Sequence, residues 1–248
     1  MSEQSALLIA TAERLFADCN GDLQADGKRL ADAGLFALLV PESKDGFGGR
    51  WSDAGNIARL TGEHALDYPL MDKILDSYRA TMEDDWSEPQ IFRVQAGVRA
   101  AQIGGALNSA LRLSVQYTRE RKQFGKPLAA FQAIQQQLAV LAEEAAAANM
   151  AAMAAFHKMD RGPADFELAA AKLRANQAAG IGAGIAHQVH GAMGFTQEYE
   201  LQKFTRRLWA WRSEYGNERY WATRIGEQVA ARGVENFWSD FVALSDPL

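Results

Sequence analysis

Two short segments concentrate the residue types that hold an anionic, planar ligand. Tyr117–Ala139 reads YTRERKQFGKPLAAFQAIQQQLA, and in it Arg121 can grip a phosphate through two parallel N–H groups while Phe124 can lie against a ring. Ala186–Trp209 reads AHQVHGAMGFTQEYELQKFTRRLW, where Gln188, Gly191 and Gly194 surround a helix end at which backbone can approach a ligand closely. Each also has a plainer reading, as a loop with an exposed arginine and as a helix stop. His187 and His190 stand three apart, but without a Glu-x-x-His pattern on facing helices they read as helix-end packing, and no metal site is expected. The glycines of DGFGG (residues 45–49) follow no clear strand and carry no Walker-type lysine, so they read as a structural loop. No GxSxG, HExxH, Walker or CxxC motif occurs. Arg206 to Arg212 mixes basic residues with Trp209 and Trp211, and reads as interface packing rather than nucleic-acid stacking.

The elements that must position these residues are helical. Residues 5–18 place Ala6, Ile9, Ala12, Leu15 and Phe16 on one face, and 23–33 form a second helix that Gly34 stops. Leu35–Val40 is bounded by Pro41 and a glycine-rich loop, so it reads as a buried segment feeding a turn. Ser52 or Asp53 can cap a helix running to about residue 66, and Asp72 can cap DKILDSYRATM, after which DDWSEP is a loop. Four long helices follow, over 93–119, 131–158, 164–190 and roughly 205–232. The first carries Val94, Val98, Ile103, Leu107, Leu111 and Val115 near one stripe, with Gly104-Gly105 permitting a close helix approach. In the second, ten of the seventeen residues from Ala139 to Ala155 are alanine, which favours helix and tight packing. Proline and glycine punctuation in short connections makes these an up-down bundle. The fold is expected to be all-α: an N-terminal helical region (1–70), a connector (71–92) and a C-terminal four-helix bundle (93–248).

Composition sets the outer bounds. The 248 residues, 48% hydrophobic and 23% charged, suffice for a large core and exclude a disordered chain. A net charge of −5 with no Lys/Arg block speaks against nucleic acid. The single cysteine, Cys19, excludes a disulfide framework and a cysteine-based zinc site. The N-terminus carries Glu3 and no basic region, so no signal peptide is expected, nor does any apolar run approach the ~20 residues of a membrane span. A reducing, cytoplasmic compartment follows as the expectation.

Taken together, the motifs resemble the C-terminal bundle of the flavin-dependent acyl-CoA dehydrogenases. The resemblance rests on RKQFGKP, Phe131-Gln132, the run from Gln188 to Phe195 (QVHGAMGF) and Glu198-Tyr199, with Gly27–Gly55 similar to the family's N-terminal helical domain. It implies FAD as cofactor and α,β-desaturation of an acyl-CoA thioester. By resemblance, Arg121 matches the arginine that reaches the flavin pyrophosphate of a neighbouring subunit and Phe124 the aromatic beside the adenosine. Gln188, Gly191 and Gly194 match the cradle of the same FAD. Because those contacts cross a subunit interface, the resemblance implies a homo-oligomer (dimer or tetramer) or a hetero-oligomer with a full-length member.

Two departures bear on activity. Full-length members carry a middle β-domain that shields the flavin, whereas Leu70–Phe92 is too short for strands of ~5–6 residues in a sheet of three or more. The family's base, a glutamate before a glycine, falls here on Tyr215 before Gly216, and a tyrosine of pKa ≈ 10 is a poor base near neutrality. An alternative base position used by some members falls near Gln95, again not a carboxylate. Glu214 and Glu218 are the nearby carboxylates, and each also reads as a solvated helix charge. The expected function is that of a β-domain-less subunit beside a full-length partner that supplies β-domain and base. The rival is a non-catalytic assembly module that keeps the bundle as an oligomerisation surface.

Overall fold

A computed structural model describes residues 3–83 and 86–245. Asp84 and Asp85 of the DDWSEP segment, and Pro247, lie outside the described residues. The chain runs α1 (Glu3–Ala17), α2 (Leu23–Asp32), α3 (Trp51–Glu63), α4 (Leu70–Arg79), α5 (Glu88–Glu120), β1 (Lys122–Gln123), β2 (Lys126–Pro127), α6 (Gln132–Met159), α7 (Asp165–His190), α8 (Leu201–Ser213), α9 (Glu218–Arg232) and α10 (Phe237–Ser245). The all-α architecture is as expected, and the only described sheet is the two-stranded hairpin β1–β2.

Helix α5 is the central pillar. Val98, Ile103, Ala106, Leu107 and Ala110 are fully buried along it, and α3, α6, α7 and α8 all pack on it. It begins at Glu88, over a turn earlier than the apolar period suggests. The Ser87 backbone N–H donates to Gln90 Oε1 at 2.9 Å and Pro89 occupies the first turn, so the cap rather than the hydrophobic stripe sets the start. The α3–α5 crossing brings backbone onto backbone. A Cβ at Gly105 would lie 1.9 Å from the Arg59 carbonyl oxygen, and one at Gly62 would lie 2.0 Å from that of Gln102. Glycine at both positions is what docks the N-terminal helices on the bundle. Trp51, Tyr78 and Trp86 then pack ring to ring, 5.3–5.7 Å apart, around the short connection from α4 to α5. Among the described residues no strand occurs there.

Five details differ from the sequence expectations. Ala6 is exposed and Ser5 is buried in its place, its hydroxyl donating to Asp53 Oδ1 at 2.6 Å. Neither Ser52 nor Asp53 is the N-cap of α3: Arg50 holds that position, and Asp53 reaches back from the third helical residue to the Arg50 N–H at 3.0 Å. Asp72 does not cap α4, whose N-cap is Pro69. The expected fourth helix is two, α8 and α9, broken at Glu214–Asn217, with α10 beyond. Finally, α6 is long and apolar enough to cross a membrane by length and composition, contrary to the expectation that no such stretch exists. In the fold α6 packs against α3, α5 and α7, burying Leu141, Ala145, Ala148, Ala152 and Phe156.

Candidate functional site

The RKQFGKP segment folds as a tight hairpin in which Lys122 pairs with Pro127 and Gln123 with Lys126. Phe124 (φ 52°) and Gly125 (φ 80°) form its turn, both in the left-handed region that a two-residue hairpin of native twist requires. The Phe124 ring is 91% exposed and meets only the edge of Phe131, 6.3 Å away. Lys126 lies over the Phe131 ring at 4.3 Å. Arg121 is exposed and makes no ion pair or side-chain hydrogen bond among the described residues.

The second segment sits at the same end of the bundle. Tyr117, on the last turn of α5, stacks on His190 at the end of α7 with ring centroids 4.6 Å apart. His190 is buried, and burial lowers its pKa. Its Nδ1 lies 2.7 Å from the Ala186 carbonyl, which can only accept, so Nδ1 carries the proton and Nε2 accepts from the Tyr199 hydroxyl at 3.2 Å. His187 instead stacks on Phe195 at 4.3 Å, so the two histidines do not converge on one point. Gln188 is exposed. Gly191 ends the helix at φ 58°, and no atom lies within 4 Å of where its side chain would begin. Gly194 differs: it is buried, and a Cβ there would press on His190 at 3.0 Å and Leu201 at 3.2 Å, so it lets the turn close. A guanidinium without a partner among the described residues, an exposed ring and open backbone thus stand at one bundle end, the groups that a phosphate and an aromatic ring would engage.

The base-position turn lies toward the opposite end. Tyr215 (φ 53°) and Gly216 (φ 96°) both take left-handed backbone, which ends α8, and Asn217 caps α9 by accepting from the Tyr220 N–H at 3.0 Å. Only glycine fits at 216, since a Cβ would sit 2.6 Å from Trp221 Nε1. Asn217→Ala should therefore cost about 1 kcal/mol in urea denaturation, and Asn217→Gly only a few tenths.

Around this turn the side chains are committed in pairs. Arg99 donates from Nε to Glu214 Oε2 at 2.6 Å and from Nη1 to Gln102 Oε1 at 2.7 Å, with its guanidinium 5.5 Å from the Tyr215 ring centre. Glu218 pairs with Arg212. Tyr215 packs on Phe92 at 5.8 Å, and burial raises the pKa of its hydroxyl further from the range of a useful base. Gln95 donates to Asp72 Oδ1 at 2.9 Å.

Beneath the turn lies Lys172, fully buried on α7. Its ammonium donates to Asn176 Oδ1 at 2.5 Å and to the Trp211 carbonyl at 2.8 Å, while Asn176 donates to the Gly216 carbonyl at 3.1 Å. The pair on α7 thus holds both sides of the break. Desolvation lowers the Lys172 pKa to about 7, with Glu218 and Glu214 opposing that shift. Sequence reading passed over Lys172, Asn176 and Arg99, and took Asp72 for a helix cap only. One signal was present for the first: a lysine at 172 interrupts the buried stripe of Leu168, Ala171, Ala175 and Ala179.

Residues 90–230 match the model of the acyl-CoA dehydrogenase C-terminal domain. The chain belongs to the acyl-CoA dehydrogenase family. Among curated members, the acryloyl-CoA reductase (NADH) of Anaerotignum propionicum is 40% identical over 111 residues, 44% of this chain and 28% of that protein. The glutaryl-CoA dehydrogenase of Desulfococcus multivorans is 30% identical over 190 residues, 72% of this chain and 47% of that protein. The chain thus spans less than half the length of these relatives. Butyryl-CoA dehydrogenase from Megasphaera elsdenii superposes with a TM-score of 0.55 at 27% identity, over 59% of this chain and 40% of that one. The ChsE4–ChsE5 complex of Mycobacterium tuberculosis shares the fold, with a TM-score of 0.77 at 14% identity over 93% of this chain and 98% of that one.

Proposed function

We propose that the chain takes part in FAD-linked α,β-desaturation of an acyl-CoA thioester, as a subunit without a β-domain beside a full-length family member, in the cytoplasm. The observation that carries the cofactor reading is the hairpin end of the bundle, where Arg121 is unpaired, Phe124 is almost wholly exposed and the Gly191 backbone is open. There Arg121 would hold the pyrophosphate, Phe124 would lie against the adenosine, and Gln188 and Gly191 would supply the cradle, with Gly194 closing the turn behind them. Bound FAD would supply a hydride acceptor for the β-carbon of the thioester. Helix length supports an oligomer. From Arg99, beside the base-position turn, α5 runs 21 residues further to Glu120, next to Arg121 at the hairpin, or about 32 Å at 1.5 Å per residue. Bringing a hairpin end next to a base-position turn therefore calls for a second chain. The ChsE4–ChsE5 complex offers a family precedent for two chains together.

The test is the visible absorption of the purified chain, alone and mixed with a full-length family member, after excess FAD is removed. Flavin bands should survive in the assembled state, and Arg121→Ala should lower FAD retention at least tenfold. Unchanged retention in that variant would remove Arg121 from the site. A second reading, a non-catalytic assembly module, draws support from Tyr215 at the base position. A chain that assembles with its partner yet leaves turnover unaltered would favour it.

A further inference from the structure

The desaturation reading assigns the group that takes the α-proton to no residue of this chain. Tyr215 holds the family position, and burial moves its hydroxyl away from base chemistry. Glu214 is held by Arg99 at 2.6 Å, and Glu218 is held by Arg212. One carboxylate nearby has no counter-ion among the described residues. Asp72 stands in the first turn of α4, half-buried, and caps nothing there. Its single described side-chain bond is to Gln95 Nε2, at 2.9 Å.

Helix geometry places that contact at the turn. Phe92, Gln95 and Arg99 follow one another at three- and four-residue spacing on one face of α5. Phe92 and Arg99 both touch the Tyr215 ring, at 5.8 and 5.5 Å, so Gln95 lies between them and brings Asp72 to the same patch. The Asp72 charge acts on Tyr215 accordingly. Gln95 adds an independent sign of a ligand. It is 9% exposed, and its Oε1 is buried with no donor among the described residues. Its amide thus orients a carboxylate with one face and offers an unused acceptor with the other.

We propose that Asp72, positioned by Gln95, is the general base of this chain. It rests on the desaturation reading above. The Cα–H bond beside the thioester carbonyl breaks, its proton forms an O–H bond on Asp72, and the electron pair stays on the thioester as the enolate. Reversal in heavy water returns a deuteron to the same carbon, so the step can be followed without any hydride leaving.

The probe is an octanoyl-CoA analogue with sulfur in place of the β-carbon, incubated in heavy water with the full chain loaded with FAD, with and without a full-length partner. Loss of the α-proton signal is followed by NMR. The wild type should exchange, Asp72→Asn should slow exchange by about a hundredfold or more, and Glu214→Gln should stay within about twofold. Gln95→Leu, which removes the hydrogen bond that orients the carboxylate, should slow exchange severalfold while leaving thioester affinity unchanged. Asp72→Glu, expected to fold like the wild type, should recover part of the rate lost in Asp72→Asn. Wild-type exchange in Asp72→Asn, with or without the partner, would overturn the assignment and leave the desaturation reading standing. A wild type that binds the thioester but exchanges nothing in either preparation would overturn both.

Discussion

Lys172→Ala should lower the unfolding free energy by about 3–4 kcal/mol in urea denaturation. The substitution deletes a fully buried four-carbon side chain and strips hydrogen bonds from the Trp211 carbonyl and from Asn176, which itself holds Gly216. Lys172→Met keeps the volume but not the charge and separates the two contributions. In the folded chain Lys172 releases its proton near pH 7, while the unfolded chain keeps it to about 10.5. Unfolding therefore takes up a proton throughout that window, and wild-type stability should rise with pH at up to about 1.4 kcal/mol per unit. Measurement between pH 7 and 8 isolates this group best, because the Cys19 thiol begins to ionise in the unfolded chain above that range. Below it His187 and His190, lowered by burial, contribute their own rise, and above it the raised pKa values of Cys19 and Tyr215 work in the opposite sense. Lys172→Met should give a nearly flat profile across that unit. A profile as steep as the wild type's would remove Lys172 as its source.

Gly105→Val is expected to cost about 3 kcal/mol or more, beyond ordinary overpacking, because its Cβ would meet the backbone carbonyl of Arg59 at 1.9 Å on a helix that cannot shift alone. The neighbouring Gly104→Ala provides the contrast. Its Cβ would meet the Asn149 side chain at 2.6 Å, and a side chain can turn aside, so a loss near 1 kcal/mol is expected. Equal losses at the two positions would mean that the α3–α5 contact is less rigid than the crossing suggests. Thermal melts followed by far-ultraviolet circular dichroism decide between them.

How much the sequence disclosed depends on the range of the interaction. The long helices were legible because the spacing of residues such as Leu107, Leu141, Ala148 and Phe156 is a local property, and the end of α5 was legible in Gly125 and Pro127, although the segment was read as a loop and its pairing as a hairpin was not seen. The break after α8 was written in Gly216-Asn217, a helix stop followed by an N-cap. The apolar period running through Leu208, Trp211 and Trp221 masked it. For the candidate site, the hairpin residues and the open Gly191 could be read in one dimension. The Asp72–Gln95 contact joins positions 23 residues apart, and Lys172–Trp211 joins positions 39 apart, so neither follows from any local pattern. Glu214 illustrates the same limit: its carboxylate is fixed by Arg99, 115 residues away.

The short passage from Arg79 to Glu88 gives this architecture an open junction. Its two flanks are already fastened to each other through Trp51, Tyr78 and Trp86, and α3 is locked to α5 independently of whatever lies between. An inserted module whose own ends lie close together could enter or leave at this junction without loosening the core. The α3–α5 lock would then carry the fold as a chassis whatever the connection between α4 and α5 holds.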